Sequence, residues 1–296
     1  MTVAPNLDRV MLADRAEGIR CADPTHRSYS SDRRFDTCGM SDKLLRLGAG
    51  VDYMGPEACV GSAVDAAICQ VIATASHAPL EKLIDEAIAD MADPVASSQW
   101  DRGPLVDKAQ RLLELWEVEV WPGYRKVGVY ATQLELHWDV DGVPYHAHLD
   151  VVLNDGTIRD LKTSEKRLPE RWADWSVQLT TYSAGLLAVY GQEPGPVGLD
   201  GLIFANPPQD VRAWNPNATK PWLDRQDSVR THAQIAAWRE DALRREEARR
   251  WSEKTGIYTA SGRSAMEWVC NRCPVRPACP SWAGFDTGQA ATAALG

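Results

Sequence analysis

Phenylalanine is nearly absent, with three Phe against twelve Trp in 296 residues, and no apolar run approaches the ~18 residues that a membrane-spanning helix needs. The opening MTVAPNLDRVMLADRAEG has no basic stretch followed by an apolar one, so neither export nor membrane insertion is signalled and the cytoplasm is the expected location. Positive charge is also short: 32 Lys+Arg face 41 Asp+Glu, a net charge of −9. That balance excludes a nucleic-acid binder with a uniformly basic surface but leaves room for a basic groove in an acidic molecule. Seven Cys, an odd number, argue against a disulfide framework and turn attention to metal ligation. What is present is ordinary, since 44% hydrophobic residues supply a sizeable core for one large domain with appendages, or for two. Core packing and amphipathic surface account for the surplus of Trp.

Residues 1–27 carry no periodicity and read as an N-terminal arm. From Gly61, the positions Val64, Ala67, Ile68, Val71, Ile72 and Ala75 recur at three and four, the spacing of a helix with one buried face. A second helix follows Pro79 and reaches Met91, and a third runs from Leu105 to Trp116. Near Val118 the character changes. Val127 to Tyr130 and Gln133 to Val140 alternate, Asp141-Gly142 supplies a turn, Val143 to Leu153 alternates again, and Asn154-Asp155-Gly156 leads into Thr157 to Lys162. This pattern predicts an antiparallel meander.

Glu170 to Tyr190 reads as a helix ended by Gly191 and Pro194, and Val197 to Ala205 as a strand stopped by Asn206-Pro207-Pro208. The order is helix, three strands, helix, strand, an α/β class. After a Pro- and Asn-rich link at 215–221, a charged helix is expected from about Asp224 to Lys254, with Ile235, Trp238 and Ala242 as a docking edge. Its eight Lys+Arg and seven Asp+Glu suit a solvated, salt-bridged helix more than a phosphate stripe, although Arg244, Arg245, Arg249 and Arg250 stand available to a nucleic-acid backbone. Residues 286–296 read as a disordered tail, which leaves a core at 28–222 and a C-terminal helical region at 223–285.

The meander carries the chemistry. Asp150 precedes the second turn, and Asp160-Leu161-Lys162 follows it, so Asp160 and Lys162 emerge on one face of a strand that Asp150 can face from its neighbour. Two converging carboxylates repel unless a cation lies between them, and hard oxygen donors of this kind suit Mg²⁺ or Mn²⁺. A lysine beside such an ion steadies an attacking water or phosphate charge. Taken alone, Asp-x-Lys is common, and a surface pair contributes only ~0–1 kcal/mol. Here it is followed by Gln178 and Tyr182, four apart on one face of the next helix.

These residues together resemble the RecB-like branch of the PD-(D/E)xK nuclease superfamily. The resemblance implies a restriction-endonuclease-like core, Asp150 and Asp160 as metal ligands with the main-chain carbonyl of Leu161, and Lys162 as the catalytic lysine. It further implies that Gln178 and Tyr182 orient the site and the DNA backbone, and it matches Glu135 to an acidic position on the preceding strand. Where the family carries Gly-x-x-x-His on the first helix, this chain has Gly61 followed by Asp65, an oxygen donor in place of an imidazole. Ala147 and His148 stand where a small and a basic residue commonly precede the first strand acid. His137, His146 and His148 read equally as hydrogen-bonded strand residues. Trp172 and Trp175 read as base-stacking residues or as core, with core the commoner role.

A second constellation lies near the C-terminus: Cys270, Cys273 and Cys279 in Cys-x2-Cys-Pro-x4-Cys-Pro, three thiols on a loop stiffened by proline. Three ligands call for a fourth, and Cys21, Cys38, Cys59 and Cys69 remain. The string around Cys38 resembles the lead-in of iron–sulfur nucleases of the RecB, AddB and CRISPR-associated exonuclease type. That resemblance implies a 4Fe-4S cluster on Cys38, Cys270, Cys273 and Cys279, within a helical iron–sulfur lobe clamped to the N-terminal helices. Four thiolates suit zinc as well. Cys59 and Cys69 read as buried thiols, and Cys21 is left unassigned.

The resemblance implies a metal-dependent DNA exonuclease acting on single-stranded or end-containing DNA in repair, recombination, phage replication or CRISPR adaptation. Lys166, Arg167 and Arg171 would then guide the backbone. Its partners would be DNA, with a homo-oligomer or a recombination or CRISPR protein as further possibilities. Asp65 in place of His motivates an alternative, a catalytically silent, cluster-stabilised DNA-binding or assembly subunit. A zinc-stapled structural protein with a chance Asp-x-Lys is the third reading.

Overall fold

The structure, a computed structural model, describes residues 26–50, 53–204, 220–258, 269–270 and 273–279. Most of the expected N-terminal arm with Cys21, the turn at 206–208, most of the link at 215–221 and the tail from 286 lie outside the described residues. In chain order the elements are α1 (Tyr29–Thr37), α2 (Gly39–Arg46), α3 (Pro56–Thr74), α4 (Leu80–Met91), α5 (Pro94–Ser97), α6 (Arg102–Glu119) and α7 (Trp121–Val127). They are followed by β1 (Val129–Val140), β2 (Val143–Leu153), β3 (Ile158–Ser164), α8 (Trp172–Trp175), α9 (Val177–Tyr190), β4 (Pro196–Ile203), β5 (Trp222–Val229) and α10 (His232–Thr255). The chain divides into two units interleaved in sequence. Of the described residues, the first holds 54–137, 147–204 and 220–235, and the second 26–50, 53, 138–146, 236–258, 269–270 and 273–279.

The five strands form one sheet in the order β1-β2-β3-β4-β5, with β2/β3 and β4/β5 antiparallel and β3/β4 parallel. The parallel step is made through α8 and α9, as a same-direction return requires a crossover. Ser176 accepts a hydrogen bond from Leu179 N at 3.4 Å and so starts α9, while Gly191 ends it with φ 65°. The single helix expected over 170–190 is therefore two, broken where Ser176 leaves the helical region to act as a cap.

β5 corrects the sequence reading. Its charges at Asp224, Arg225 and Asp227 suggested the start of a long helix, but the segment pairs with β4 from Trp222 to Val229 and the helix begins only at His232. The physical reason lies on β4. Asp200 is fully buried and draws the guanidinium of Arg225 to 2.7 Å and that of Arg159 to 2.5 Å, while Tyr124 donates its hydroxyl hydrogen bond at 2.5 Å. Arg159 also pairs with Asp227. Charged side chains on β5 thus answer a buried charge in the middle of the sheet, which periodicity of apolar residues cannot reveal.

In the first unit α3, α4 and α6 bury one apolar stripe each, with Val60, Val64, Ile68, Ile84, Leu112 and Trp116 all nearly inaccessible. Sheet residues Val151, Leu153 and Leu202 join the same core. Among the described residues α3 alone has the length and hydropathy of a membrane span, contrary to the expectation that no such stretch exists; its apolar face is taken up by this core.

In the second unit a capping box between Ser28 and Ser31 opens α1, and Cys38 both closes α1 and precedes α2 in extended conformation. Asp32 accepts from Tyr145 Oη at 2.8 Å and pairs with Arg249 Nη1 at 2.9 Å, and Arg27 Nε meets Glu246 at 2.8 Å. Arg249 is 1% exposed, Arg245 pairs with Asp36 at 2.8 Å, Arg250 with Glu246 at 3.1 Å and Arg244 with Asp241 at 3.0 Å, so all four arginines offered to a nucleic-acid backbone are ion-paired within the unit. Of the expected docking edge, Trp238 and Ala242 are buried, whereas Ile235 is half-buried and belongs to the first unit.

Burial pushes the Asp200 carboxyl up, but the guanidinium groups of Arg159 and Arg225 outweigh it and leave its pKa below the ordinary value. Its contribution to stability is therefore full above the unfolded pKa near 4 and is lost as pH falls through the lower folded value. Asp200→Asn, which leaves two arginines without their buried counter-charge, is expected to cost about 3–5 kcal/mol in urea unfolding at pH 7, with the deficit shrinking toward pH 3.

Candidate active site

The site begins with register. β2 and β3 pair Val151 with Arg159 and Val152 with Ile158, so one step outward Asp150 comes abreast of Asp160. Residues directly opposite on antiparallel strands share a face, and like charges there repel. Asp150 is fixed by accepting the Leu161 N–H at 2.8 Å on Oδ2. Lys162, two residues after Asp160 on the same face, places Nζ 2.6 Å from Asp160 Oδ2. The expected juxtaposition of Asp150, Asp160 and Lys162 is thus realised.

Asp65 joins them from α3. Burial raises the Asp150 carboxyl well above the ordinary carboxylate range, and the charges of Asp160 and Asp65 push it further in the same direction, against Lys162 and the Leu161 N–H. Burial also raises Asp160, with Lys162 opposing. Tyr182 is raised by burial and by Asp160, Asp150 and Asp65, so all three acids lie within its electrostatic reach. Gln178 donates to Tyr182 Oη at 2.6 Å, the four-residue pair expected on α9. A cleft of about 190 Å³ lined by Gly61, Val64, Asp65, Ile68, Lys162 and Thr163 opens here.

Gln133 was not singled out in the sequence. Its amide Nε2 donates to Asp65 Oδ2 at 2.7 Å from a left-handed backbone, φ 49°, inside β1. The other three described non-Gly residues with positive φ, Ala75, Asp141 and Arg171, sit at a helix end, a hairpin turn and the start of a short helix. The signal available was the break in alternation between Tyr130 and Gln133, which marks this bend in one continuous strand. Glu135 instead meets His137 at 2.6 Å and lies 3.9 Å from His148. Trp175 also departs from the commoner expectation: it is 59% exposed, because Ala173 is the residue that the one-turn α8 buries.

The residues present fit a hard divalent cation. Asp160 Oδ1 is buried with no hydrogen-bond partner among the described residues, an acceptor of the kind that an ion satisfies. Two carboxylates and a backbone carbonyl with water completing the shell match the needs of Mg²⁺ or Mn²⁺. Among the described residues no group of three or more His, Cys, Asp or Glu side chains is already arranged to hold a metal. In the second unit, burial raises the Cys270 thiol and Cys38, Cys273 and Cys279 raise it further, so the other three expected cysteines lie within electrostatic reach of Cys270. Cys59 and Cys69 are buried thiols, as read from the sequence.

A family model described as the PD-(D/E)XK nuclease superfamily matches residues 26–280. A solved structure of a candidate exonuclease from Eubacterium rectale aligns with a TM-score of 0.55 at 15% identity, over 82% of this chain and 88% of that one. LHK-Exo, solved in complex with dAMP, aligns with a TM-score of 0.27 at 15% identity, over 68% of this chain and 95% of that one. No curated protein matches the chain.

Gly61 lets α3 approach β3, since a Cβ there would stand 2.5 Å from Thr163 Oγ1. Gly61→Ala is expected to destabilise by about 1–3 kcal/mol in thermal or urea unfolding, and adding Thr163→Ala to recover most of that loss.

Proposed function

The chain belongs to the PD-(D/E)XK nuclease superfamily, whose members generally use Mg²⁺ or Mn²⁺, and from that premise we propose that it is a metal-dependent deoxyribonuclease. The observation that carries this reading is the half-buried Asp150 abreast of the fully buried Asp160 on β2 and β3, with Lys162 against the latter. Asp150, Asp160 and the Leu161 carbonyl would hold the ion, with Asp65 as an additional oxygen donor. When bound, the ion supplies positive charge to the scissile phosphate and acidity to a water. Lys162 Nζ, a quarter exposed at its side chain, orients the attacking water and steadies negative charge on the phosphate. Gln178 holds the Tyr182 hydroxyl, and that pair fixes the acidic face against α9.

The exposed Lys166, Arg167 and Arg171, on the segment after β3, offer the cationic guide that an acidic protein needs to receive DNA. Trp175, exposed beside Trp172 with ring centroids 6.3 Å apart, offers a stacking face to an unpaired base. The exposed indole favours single-stranded or end-containing DNA, and exonucleolytic use is the reading carried over from the family resemblance. A 4Fe-4S cluster on Cys38, Cys270, Cys273 and Cys279 is the structural cofactor of this reading, supported by the placement of all four in one unit.

End-labelled single- and double-stranded DNA incubated with anaerobically purified protein and Mn²⁺, Mg²⁺ or EDTA tests the activity. Cutting that needs metal and is lost in Asp160→Ala and Lys162→Ala is the expected result. No cutting by the cluster-loaded wild type would instead favour a silent DNA-binding subunit. Binding of single-stranded DNA should weaken as salt rises, and Trp175→Ala should weaken it by about 1–3 kcal/mol. Iron and sulfide should both be present at four irons per chain and fall in Cys38→Ser; zinc in their place would overturn the iron–sulfur assignment.

A further inference from the structure

β1 holds one residue whose conformation its own strand does not call for. Left-handed backbone at a non-glycine residue is unfavourable, and away from turns and helix ends it persists only where surrounding contacts enforce it. Gln133 pays this cost inside β1, and its side chain spends its amide N–H on a carboxylate oxygen, Asp65 Oδ2, at 2.7 Å. Asp65 lines one cleft with Leu161 and Lys162, beside Asp160, and its charge raises Asp150. Across the hairpin His148 lies 3.9 Å from Glu135, and two residues further along these strands come Asp150 and Gln133.

We propose that Gln133 is a positioning residue of the acidic site, whose left-handed backbone aims its amide at Asp65 and thereby holds that carboxylate toward Asp150 and Asp160. The proposal rests on the reading of these acids as a divalent-cation site. An amide is suited to the task because it donates to a carboxylate without adding charge. A carboxylate at position 133 would add a fourth like charge, and an apolar side chain would take the amide donor from Asp65. The partners of a ligand commonly matter nearly as much as the ligand, and their removal typically weakens metal affinity 10–100-fold.

The test is Mn²⁺ binding by isothermal titration calorimetry on the full chain, alongside the melting temperature of each metal-free variant. Gln133→Met removes the donor at similar length, and Gln133→Gly removes it while accepting the left-handed backbone without penalty. Both are expected to bind Mn²⁺ at least tenfold more weakly, with Gln133→Gly melting no lower than wild type. If Gln133→Met does not fold, Gln133→Gly carries the comparison. In an Asp65→Asn background, Gln133→Gly is expected to cause no further loss, because the amide acts through Asp65. Wild-type affinity in the variants would overturn the positioning role alone. Absence of Mn²⁺ binding in wild type would overturn the cation site itself and this inference with it.

Discussion

Asp150, half-buried, and Asp160, fully buried, stand abreast on neighbouring antiparallel strands, where like charges repel and burial weakens their screening by water. The first unit is organised around bearing that repulsion. The Leu161 N–H fixes one carboxylate, Lys162 answers the other, and Arg159, between them in sequence, turns to the opposite face of β3 and anchors the strand to Asp200. Alternation along a strand therefore gives β3 two electrostatic duties: an acidic and lysine face for chemistry, and an arginine face that ties it to β4, β5 and Tyr124. Helices α3 and α6 supply the apolar burial on the arginine face, where Val151, Leu153 and Leu202 join their core.

Such an arrangement stores unfavourable energy at one place and balances it elsewhere, which is a common property of functional sites. The left-handed Gln133, at about 1–3 kcal/mol, belongs with the same pattern. The second unit shows a different solution to buried charge. Asp32, Arg249, Tyr145, Arg27 and Glu246 pair off with one another, so its ions are balanced within the unit. That network ties α1, which leads into Cys38, to α10.

The parts legible in the sequence are those that obey a short period. Val64, Ile68 and Val71 announced α3 by helical spacing, the alternation from Val143 to Leu153 announced β2, and Asp-x-Lys was legible because period two alone puts both side chains on one face. Gln178 and Tyr182 were legible for the helical counterpart of that reason. What escaped depended on partners far away in sequence. Asp224, Arg225 and Asp227 looked like helix surface because their partners, Asp200 and Arg159 among them, lie on β4 and β3. Arg249 looked solvated because Asp32 is 217 residues away. Gln133 was hidden because no residue preference announces a left-handed glutamine, and Glu135 drew attention as the acidic residue although its bonds go to histidines.

A divalent cation between Asp150 and Asp160 would resolve their repulsion. Thermal unfolding of wild type and Asp160→Asn, each in EDTA and in saturating Mn²⁺, reads this directly, because an ion that binds only the folded site raises stability with its concentration. The account predicts a Mn²⁺-dependent rise in the melting temperature of wild type that is absent or much reduced in Asp160→Asn. An equal response in both proteins, or none in wild type, would contradict it.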